Sequence, residues 1–336
     1  MTRWKLFYKC DFFNQEIHVD RSRVEQSVLE FNRFLKDDKA SFSKVLETYD
    51  YSYSLSKTFD VSKPVALIPI RDNLNLLQYT LNNLKSFNAH HHVNIVIVDD
   101  RSAEDLNSIL DSSYSYFRID GDNGFSFSML NNIPAKIFYD LGCKQIILWN
   151  SDLWCMDEES LPNLLDMHEK LNSTITGTKL IYPPLSMSLN GEEDTENIKK
   201  MFKNKIGGSW RETVQFGGDF FFNGSFHHYG RFKDPSDFRI DCNRPASFIT
   251  GAFQIIDLKT FIRLGGLNPS LQKNYQDNDF CFKVLEDGGK IYYIGQDCGF
   301  YHDESALLHE NKIDKKYTSN QVLFTKIWNN KIMEIL

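Results

Sequence analysis

The chain has 336 residues, a net charge of −7, and 41% hydrophobic, 25% charged and 14% aromatic residues. This composition supports a full core in one large domain or two, and with no Lys/Arg run it argues against a purely electrostatic nucleic-acid binder. No window approaches the ~20 apolar residues of a membrane span, and the stretch from Met1 to Phe7 lacks the apolar core of a secretory leader, so a cytoplasmic protein with at most peripheral membrane contact is expected.

Residues 1–61 read as a separate helical prefix, with Val24, Val28, Leu29, Phe31, Phe34 and Leu35 at helical spacing. Its expected role is packing on the main domain or on a second copy in a homodimer. The pattern then changes. Val65 to Ile70 is an unbroken apolar run, the signature of a strand buried on both faces. Arg71, Asp72 and Asn73 follow, then a helical stripe of Leu74, Leu77, Leu81 and Leu84. Asn94 to Val98 is a second buried strand ending in Asp99 and Asp100, and helical spacing resumes at Leu106, Ile109 and Leu110. Tyr116 to Ile119 is a third strand, Gly121 to Gly124 a tight turn, and a helix is expected from Pro134 to Leu141 with the proline in its first turn. Gln145 to Trp149 is a fourth strand, running straight into Asn150, Ser151 and Asp152.

Strands alternating with helices predict an α/β fold with a mostly parallel central sheet flanked by helices. In such sheets ligands bind outside the carboxyl ends of the strands. The polar clusters Arg71/Asp72, Asp99/Asp100 and Asn150/Asp152 each follow a strand, so they are expected to share one crevice. A dinucleotide site would want G-x-G-x-x-G after the first strand, and a P-loop G-x-x-x-x-G-K-[ST]; the chain has neither. Phosphates in this crevice must be held by a cation or by arginines. Asp152 can hold a divalent cation; capping a turn is its alternative.

Residues 183–246 carry Pro183-Pro184, the pairs Gly207-Gly208 and Gly217-Gly218, and Phe220-Phe221-Phe222, and read as lids and binding loops. The pair His227-His228 lacks a third ligand nearby, which argues against a metal site there. Phe248 to Ile256 is a further strand, Asp257 a helix N-cap and Gly265-Gly266 the stop. A helix follows Tyr275-Gln276-Asp277-Asn278-Asp279, Ile291 to Ile294 is a strand, and Tyr301-His302-Asp303-Glu304 closes the module. The tail, residues 306–336, reads as one more amphipathic helix. The six cysteines form no C-x-x-C pair and read as reduced thiols.

In order along residues 64–305, these pieces resemble the family 2 glycosyltransferases, of rhamnosyltransferase-like or galactosyltransferase-like type. Val65 to Pro69 resembles the family's opening strand, Val98-Asp99-Asp100-Arg101-Ser102 its V-D-D-x-S turn, and Asn123-Gly124-Phe125 part of its N-x-G-F turn. Asn150-Ser151-Asp152 is similar to its D-x-D site in an N-x-D form, and Thr250-Gly251-Ala252-Phe253 with Gln276-Asp277-Asn278-Asp279 to its acceptor block. Gln276 stands where a Glu is usual, Arg71 where an aromatic is, and the Q-x-x-R-W signature of processive enzymes is absent.

The resemblance implies a GT-A, Rossmann-like nucleotide-sugar-binding domain over residues 62–305, divided into a nucleotide-sugar half (62–182) and an acceptor half (183–305). It implies non-processive, inverting transfer of one sugar from a UDP- or dTDP-sugar to an acceptor hydroxyl on a glycan or glycoconjugate. Asp277 would be the general base, and Asp152 and His302 the ligands of Mn²⁺ or Mg²⁺. Pro69, Arg71, Asp99, Asn123, Gly124, Asn150 and Ser151 would contact the nucleotide, with Asp99 accepting from the base. Gly251, Gln276 and Asp279 would contact the sugars. The helix dipole is expected to keep Asp277 ionised. The rival readings are a nucleotidyltransferase, which would want a glycine-rich loop after the first strand; a non-catalytic carbohydrate-binding protein of the same fold; and a transferase acting on modified nucleic acid, which the acidic charge disfavours.

Overall fold

A computed structural model describes residues 49–120, 126–187, 210–222, 225–271, 274–304, 315–328 and 331. The turn with Asn123 and Gly124, both expected at the nucleotide, lies outside these residues, as does the prefix up to residue 48. The backbone is an α/β fold around a nine-stranded mixed sheet. Its centre is parallel: β2 (Val65–Ile70) pairs with β3 (Asn94–Asp100) on one side and β5 (Gln145–Trp149) on the other, and β3 pairs with β4 (Ser115–Asp120). The apolar runs of β2, β3 and β5 are buried because helices cover both faces. Pro69 sits in β2 beyond Leu67, where pairing with β5 has ended. A residue without an N–H fits a central strand at such a point.

Helix α1 (Leu74–Ser86) follows β2, and its first turn is closed by Asn73, whose side chain accepts from the Leu76 amide. Helix α2 (Phe127–Asp140) begins at Ser126, which accepts from the Met129 amide. Pro134 therefore lies inside this helix and not in its first turn, which corrects the sequence expectation. Its missing N–H leaves the Leu130 carbonyl without its helical partner, a cost that the buried apolar face around Ile133 and Phe138 outweighs. The helix expected near Leu106 is only a 3₁₀ turn, Leu106–Ile109, opened by Asp105.

The prefix boundary also moves. Residues Asp50–Ser54 form β1, an antiparallel edge strand on β4, with Tyr51 and Tyr53 stacked on Phe117. Beyond β5 the sheet turns antiparallel at β13 (Phe253–Asp257), then adds β7 (Ile175–Thr178), β14 (Ile291–Ile294) and β12 (Asn243–Pro245). The strand expected from Phe248 thus starts later, because Thr250 to Ala252 turn at the sheet's edge. Asp257 caps α4 (Leu258–Arg263) as expected, accepting from the Thr260 amide. Helix α3 (Ser160–Lys170) precedes β7, and α5 (Gln276–Glu286) precedes β14.

A four-stranded sheet stands beside the main one: β6 (Leu153–Cys155), β15 (Phe300–His302), β8 (Leu180–Ile181) and β9 (Val214–Phe216). A hairpin of β10 (Asp219–Phe222) and β11 (Ser225–His228) projects from it. The segment read as irregular loop therefore holds four strands among its described residues, β9 to β12. The tail helix α6 (Lys315–Trp328) packs Phe324 and Trp328 on Phe282 of α5. Cys143, Cys155, Cys242, Cys281 and Cys298 are free thiols. Among the described residues no helix is long and apolar enough to cross a membrane.

Candidate functional site

The parallel strands deliver their carboxyl ends to one edge of the sheet. Because β13 runs antiparallel to β5, with Phe253 opposite Trp149, the amino end of β13 reaches the same edge. The Asn150 amide donates to the Ala252 carbonyl at 3.0 Å. The residue before Ala252, Gly251, donates its amide to Asp277 Oδ2 at 2.7 Å. Two short links thus join Asn150 to the first turn of α5.

The turn after β5 is braced from three directions. Leu153 N donates to Asn150 O at 3.1 Å. Thr80 Oγ1, from α1, donates to Ser151 O at 2.5 Å. Trp149 Nε1 donates to Leu153 O at 3.0 Å. The turn leads into β6, which pairs with β15 so that His302 stands opposite Leu153. This register sets His302 Nε2 3.3 Å from Asp152 Oδ1 and 3.4 Å from Asn150 Nδ2. Both Asp152 and His302 are buried.

The other ring nitrogen, His302 Nδ1, lies 3.1 Å from Gln215 Oε1 on β9. An amide oxygen there accepts from Nδ1–H and leaves Nε2 as the ring nitrogen that faces Asp152. Asp303, the next residue, donates its backbone amide to Asp152 O at 2.9 Å. Burial alone would lower the His302 imidazole, but the neighbouring Asp152 carboxylate raises it above its ordinary range.

These residues fit a hard divalent cation. A carboxylate oxygen and a neutral ring nitrogen 3.3 Å apart match adjacent positions around an ion that binds at about 2.0–2.1 Å. Among the described residues no group of three or more His, Cys, Asp or Glu is placed to hold a metal. The described residues therefore offer two ligands, with Asn150 beside them, and the rest of the coordination would come from water and phosphate, as is usual for Mg²⁺.

Asp277 is the third element. Its Oδ1 accepts from the Asn278 amide at 2.9 Å and its Oδ2 from Gly251. Burial raises its carboxyl above the usual carboxylate range, against the pull of those backbone amides. The dipole-only expectation therefore missed the larger effect: desolvation makes Asp277 a stronger base than an exposed aspartate.

Other expected contacts are used differently. Asp99 is fully buried. Its Oδ1 accepts from the Ser102 amide at 2.8 Å, and its Oδ2 from Arg118 Nη1 at 2.6 Å and from the Tyr116 hydroxyl. It is not turned out to meet a base; it closes the turn after β3. Ser102 Oγ in turn accepts from the Asp72 amide at 2.7 Å, and Asp72 Oδ1 from the Ala103 amide at 2.6 Å. Asp72, Asn73 and Arg101 all hold positive φ here. Arg71 is half-exposed at this edge, 4.0 Å from Asp100.

Asp279 also departs from its expected sugar contact. It is buried, accepts from Trp328 Nε1 at 2.9 Å and pairs with Lys283 at 2.8 Å, so it anchors α6. Gln276 is buried beside it.

Sequence reasoning missed a second polar network. Glu304 pairs with Arg231 at 2.9 Å and accepts from the Tyr182 hydroxyl at 2.9 Å. Burial would push Glu304 up, but Arg231 holds it down at about 2. His228, tempting as a metal ligand, lies 2.9 Å from Arg231 Nη2. Burial and that guanidinium hold it neutral, at about 3. It missed Asp219 too, whose Oδ1 is buried without a hydrogen-bond partner among the described residues. No motif flags Asp219, since its strand lies in the segment read as loop.

No family model matches the chain. It is 24% identical over 261 residues to an uncharacterized protein, y4gI, of Sinorhizobium fredii (strain NBRC 101917 / NGR234), covering 74% of this chain and 25% of that protein. The chain thus spans about a quarter of that relative's length. Among solved structures it is similar to GalNAc-T7 with UDP, GalNAc and Mn²⁺, with a TM-score of 0.49 and 14% identity over 72% of this chain and 44% of that one. It is also similar to the catalytic domain of Drosophila beta1,4galactosyltransferase 7 in complex with xylobiose, with a TM-score of 0.41 and 13% identity over 77% and 79% of the two chains.

Proposed function

We propose that this chain is a metal-dependent, inverting glycosyltransferase that moves a single sugar from a UDP- or dTDP-sugar to a hydroxyl of a glycan or glycoconjugate. The observation that carries this reading is the convergence at one sheet edge of Asp152 and His302, 3.3 Å apart, with Asp277, tied to the same edge through Gly251. Asp152 and His302 would hold Mn²⁺ or Mg²⁺. When bound, the cation supplies Lewis-acid neutralisation of charge on the leaving diphosphate.

The chain's own residues account for the rest. Asp277 accepts the proton of the acceptor hydroxyl as that oxygen attacks the anomeric carbon. The bond to the diphosphate breaks on the opposite face, and its electron pair leaves with the phosphate, so one displacement inverts the centre. The Gly251 and Asn278 amides hold the carboxylate in a fixed rotamer, which keeps the base oriented before substrate arrives. Arg71, half-exposed after β2, supplies positive charge on the nucleotide side. Residues 62–182 would form the donor half and 183–305 the acceptor half.

The test is a panel of nucleotide sugars with Mn²⁺, read as release of nucleotide diphosphate. Turnover of one donor, abolished by Asp277→Asn, is expected. UDP and Mn²⁺ together should raise the melting temperature where the cation alone does not. A chain that neither binds nor turns over any nucleotide sugar would refute the reading.

A further inference from the structure

Asp219 opens β10, and its cross-strand neighbour is His228. Residues directly opposite share a face of a hairpin, as do residues two apart on one strand. Phe226 therefore lies on the Asp219 face. Its ring packs on Phe248 at 4.1 Å, on Phe324 at 5.5 Å and on Phe282 of α5 at 5.8 Å between centroids. The face bearing Asp219 is thus the one pressed toward α5, the helix that carries Asp277.

The groups that bear on Asp219 are few. Asp277 reaches it from α5, and Arg231 from the segment after β11. The Cys281 thiol, also on α5, lies within electrostatic reach of both carboxyls. Asp219 Oδ1 is buried with no hydrogen-bond partner among the described residues, yet the residue as a whole is only partly buried. Burial, reinforced by the nearby Asp277 charge, raises the Asp219 carboxyl well above its usual range. A carboxyl kept neutral can donate as well as accept, and a hydroxyl needs both. Two carboxyls within electrostatic reach of one another also divide labour: the one that ionises first serves as base, and the other stays protonated.

We propose that Asp219 is an acceptor-binding residue, holding a second hydroxyl of the acceptor beside the one that Asp277 deprotonates, so that the acceptor is polyhydroxylated, a sugar, and not an isolated serine, threonine or phenol hydroxyl. Asp219 gains and loses no proton over the cycle; the proton released goes to Asp277 and the electron pair to the diphosphate. This inference rests on the glycosyltransferase reading and on Asp277 as its base.

The experiment measures transfer from the accepted nucleotide sugar to a panel of methyl glycosides, a serine-containing peptide and a phenol. Wild type, Asp219→Asn and Asp219→Ala are compared. Methyl glycosides are expected to serve and the lone hydroxyls to fail. Asp219→Ala should raise the acceptor KM tenfold or more with UDP affinity kept. Asp219→Asn, whose amide donates and accepts like the neutral acid, should restore most of the loss. In the infrared, wild type at neutral pH should show a carboxylic-acid carbonyl band that Asp219→Asn lacks, a readout that needs no acceptor.

Preference for a lone hydroxyl would overturn the proposal. So would an unchanged acceptor KM in Asp219→Ala, whether or not the melting temperature falls, an equal loss in both variants, or an absent acid band. Failure of wild type to use any nucleotide sugar, or full activity in Asp277→Asn, would instead break the underlying reading.

Discussion

Two parts of the same sheet edge use their carboxylates in opposite ways. After β2 and β3, Asp72 and Asp99 spend their oxygens on neighbouring amides and on Arg118, stapling two loops together. After β5 and at the start of α5, Asp152 faces the His302 ring, and Asp277 accepts one backbone amide on each oxygen with a lone pair left on each. Asp72, Asp99 and Asp152 lie at strand ends and Asp277 opens a helix, and nothing in the sequence around them separates the two roles. The difference is that a carboxylate saturated by the fold is structural, whereas one fixed in place with capacity left over is available for chemistry.

The strongest way to break this comparison is at Asp277. Replacing a positioned general base removes a contribution on the order of a hundred- to ten-thousand-fold. Asp277→Asn is therefore expected to lower kcat by that order while leaving the melting temperature and UDP affinity close to wild type. The pH dependence has a definite sign. The base must be ionised, and burial raises the Asp277 carboxyl, so kcat should climb with pH through a midpoint above the ordinary carboxylate range. A rate already at its plateau at the normal aspartate value would contradict the assignment.

Gln215 comes next, because it sets which nitrogen of His302 faces Asp152. Loss of such an orienting partner costs about ten- to a hundred-fold in metal affinity. Gln215→Leu should raise the Mn²⁺ concentration needed for half-maximal turnover by that factor. Saturating Mn²⁺ should recover most of the rate, an outcome that a misfolded site would not give.

A smaller effect is expected at Gly251. A Cβ there would stand 3.2 Å from Asp277 Cβ and 3.3 Å from its Oδ2, tighter than ordinary contact. Gly251→Ala must move the carboxylate by a few tenths of an ångström. Near-attack geometry is sensitive on that scale, so kcat should fall less than in Asp277→Asn, with Mn²⁺ dependence unchanged.

Much of this was legible in the chain itself. The apolar runs of β2, β3 and β5 announce a parallel centre because strands buried on both faces cannot alternate. The polar residues that follow them mark the edge, and Asp152, Asp277 and His302 do come to the edges that order implied. What could not be read was pairing. Nothing local says that β13 turns antiparallel and so brings Gly251 beside Asn150, or that β9 carries Gln215 to His302 across 87 residues. The hairpin bearing Asp219 was hidden for the same reason: its burial comes from Phe226 meeting α5 and α6, not from its own pattern. Pro134 misled because a proline favours a first turn on average, while here Ser126 starts the helix earlier and tertiary burial tolerates the lost bond.

The least kinetic effect and the sharpest contrast belong to Asp99. Sequence resemblance gives it the nucleotide base; the structure gives it Ser102, Tyr116 and Arg118. If the structural role holds, Asp99→Asn removes the charge that Arg118 meets 2.6 Å away. Breaking a buried pair costs roughly 3–5 kcal/mol, and the lower end is expected because Arg118 keeps Asp120 as a partner at 2.9 Å. The melting temperature should drop accordingly, while UDP affinity, measured well below that temperature with Mn²⁺ present, stays as in wild type. Loss of UDP binding without loss of stability would reverse the assignment and return Asp99 to the nucleotide. It would also show that a fully hydrogen-bonded carboxylate can still serve a ligand, which is the one result that would erase the distinction between the two parts of this edge.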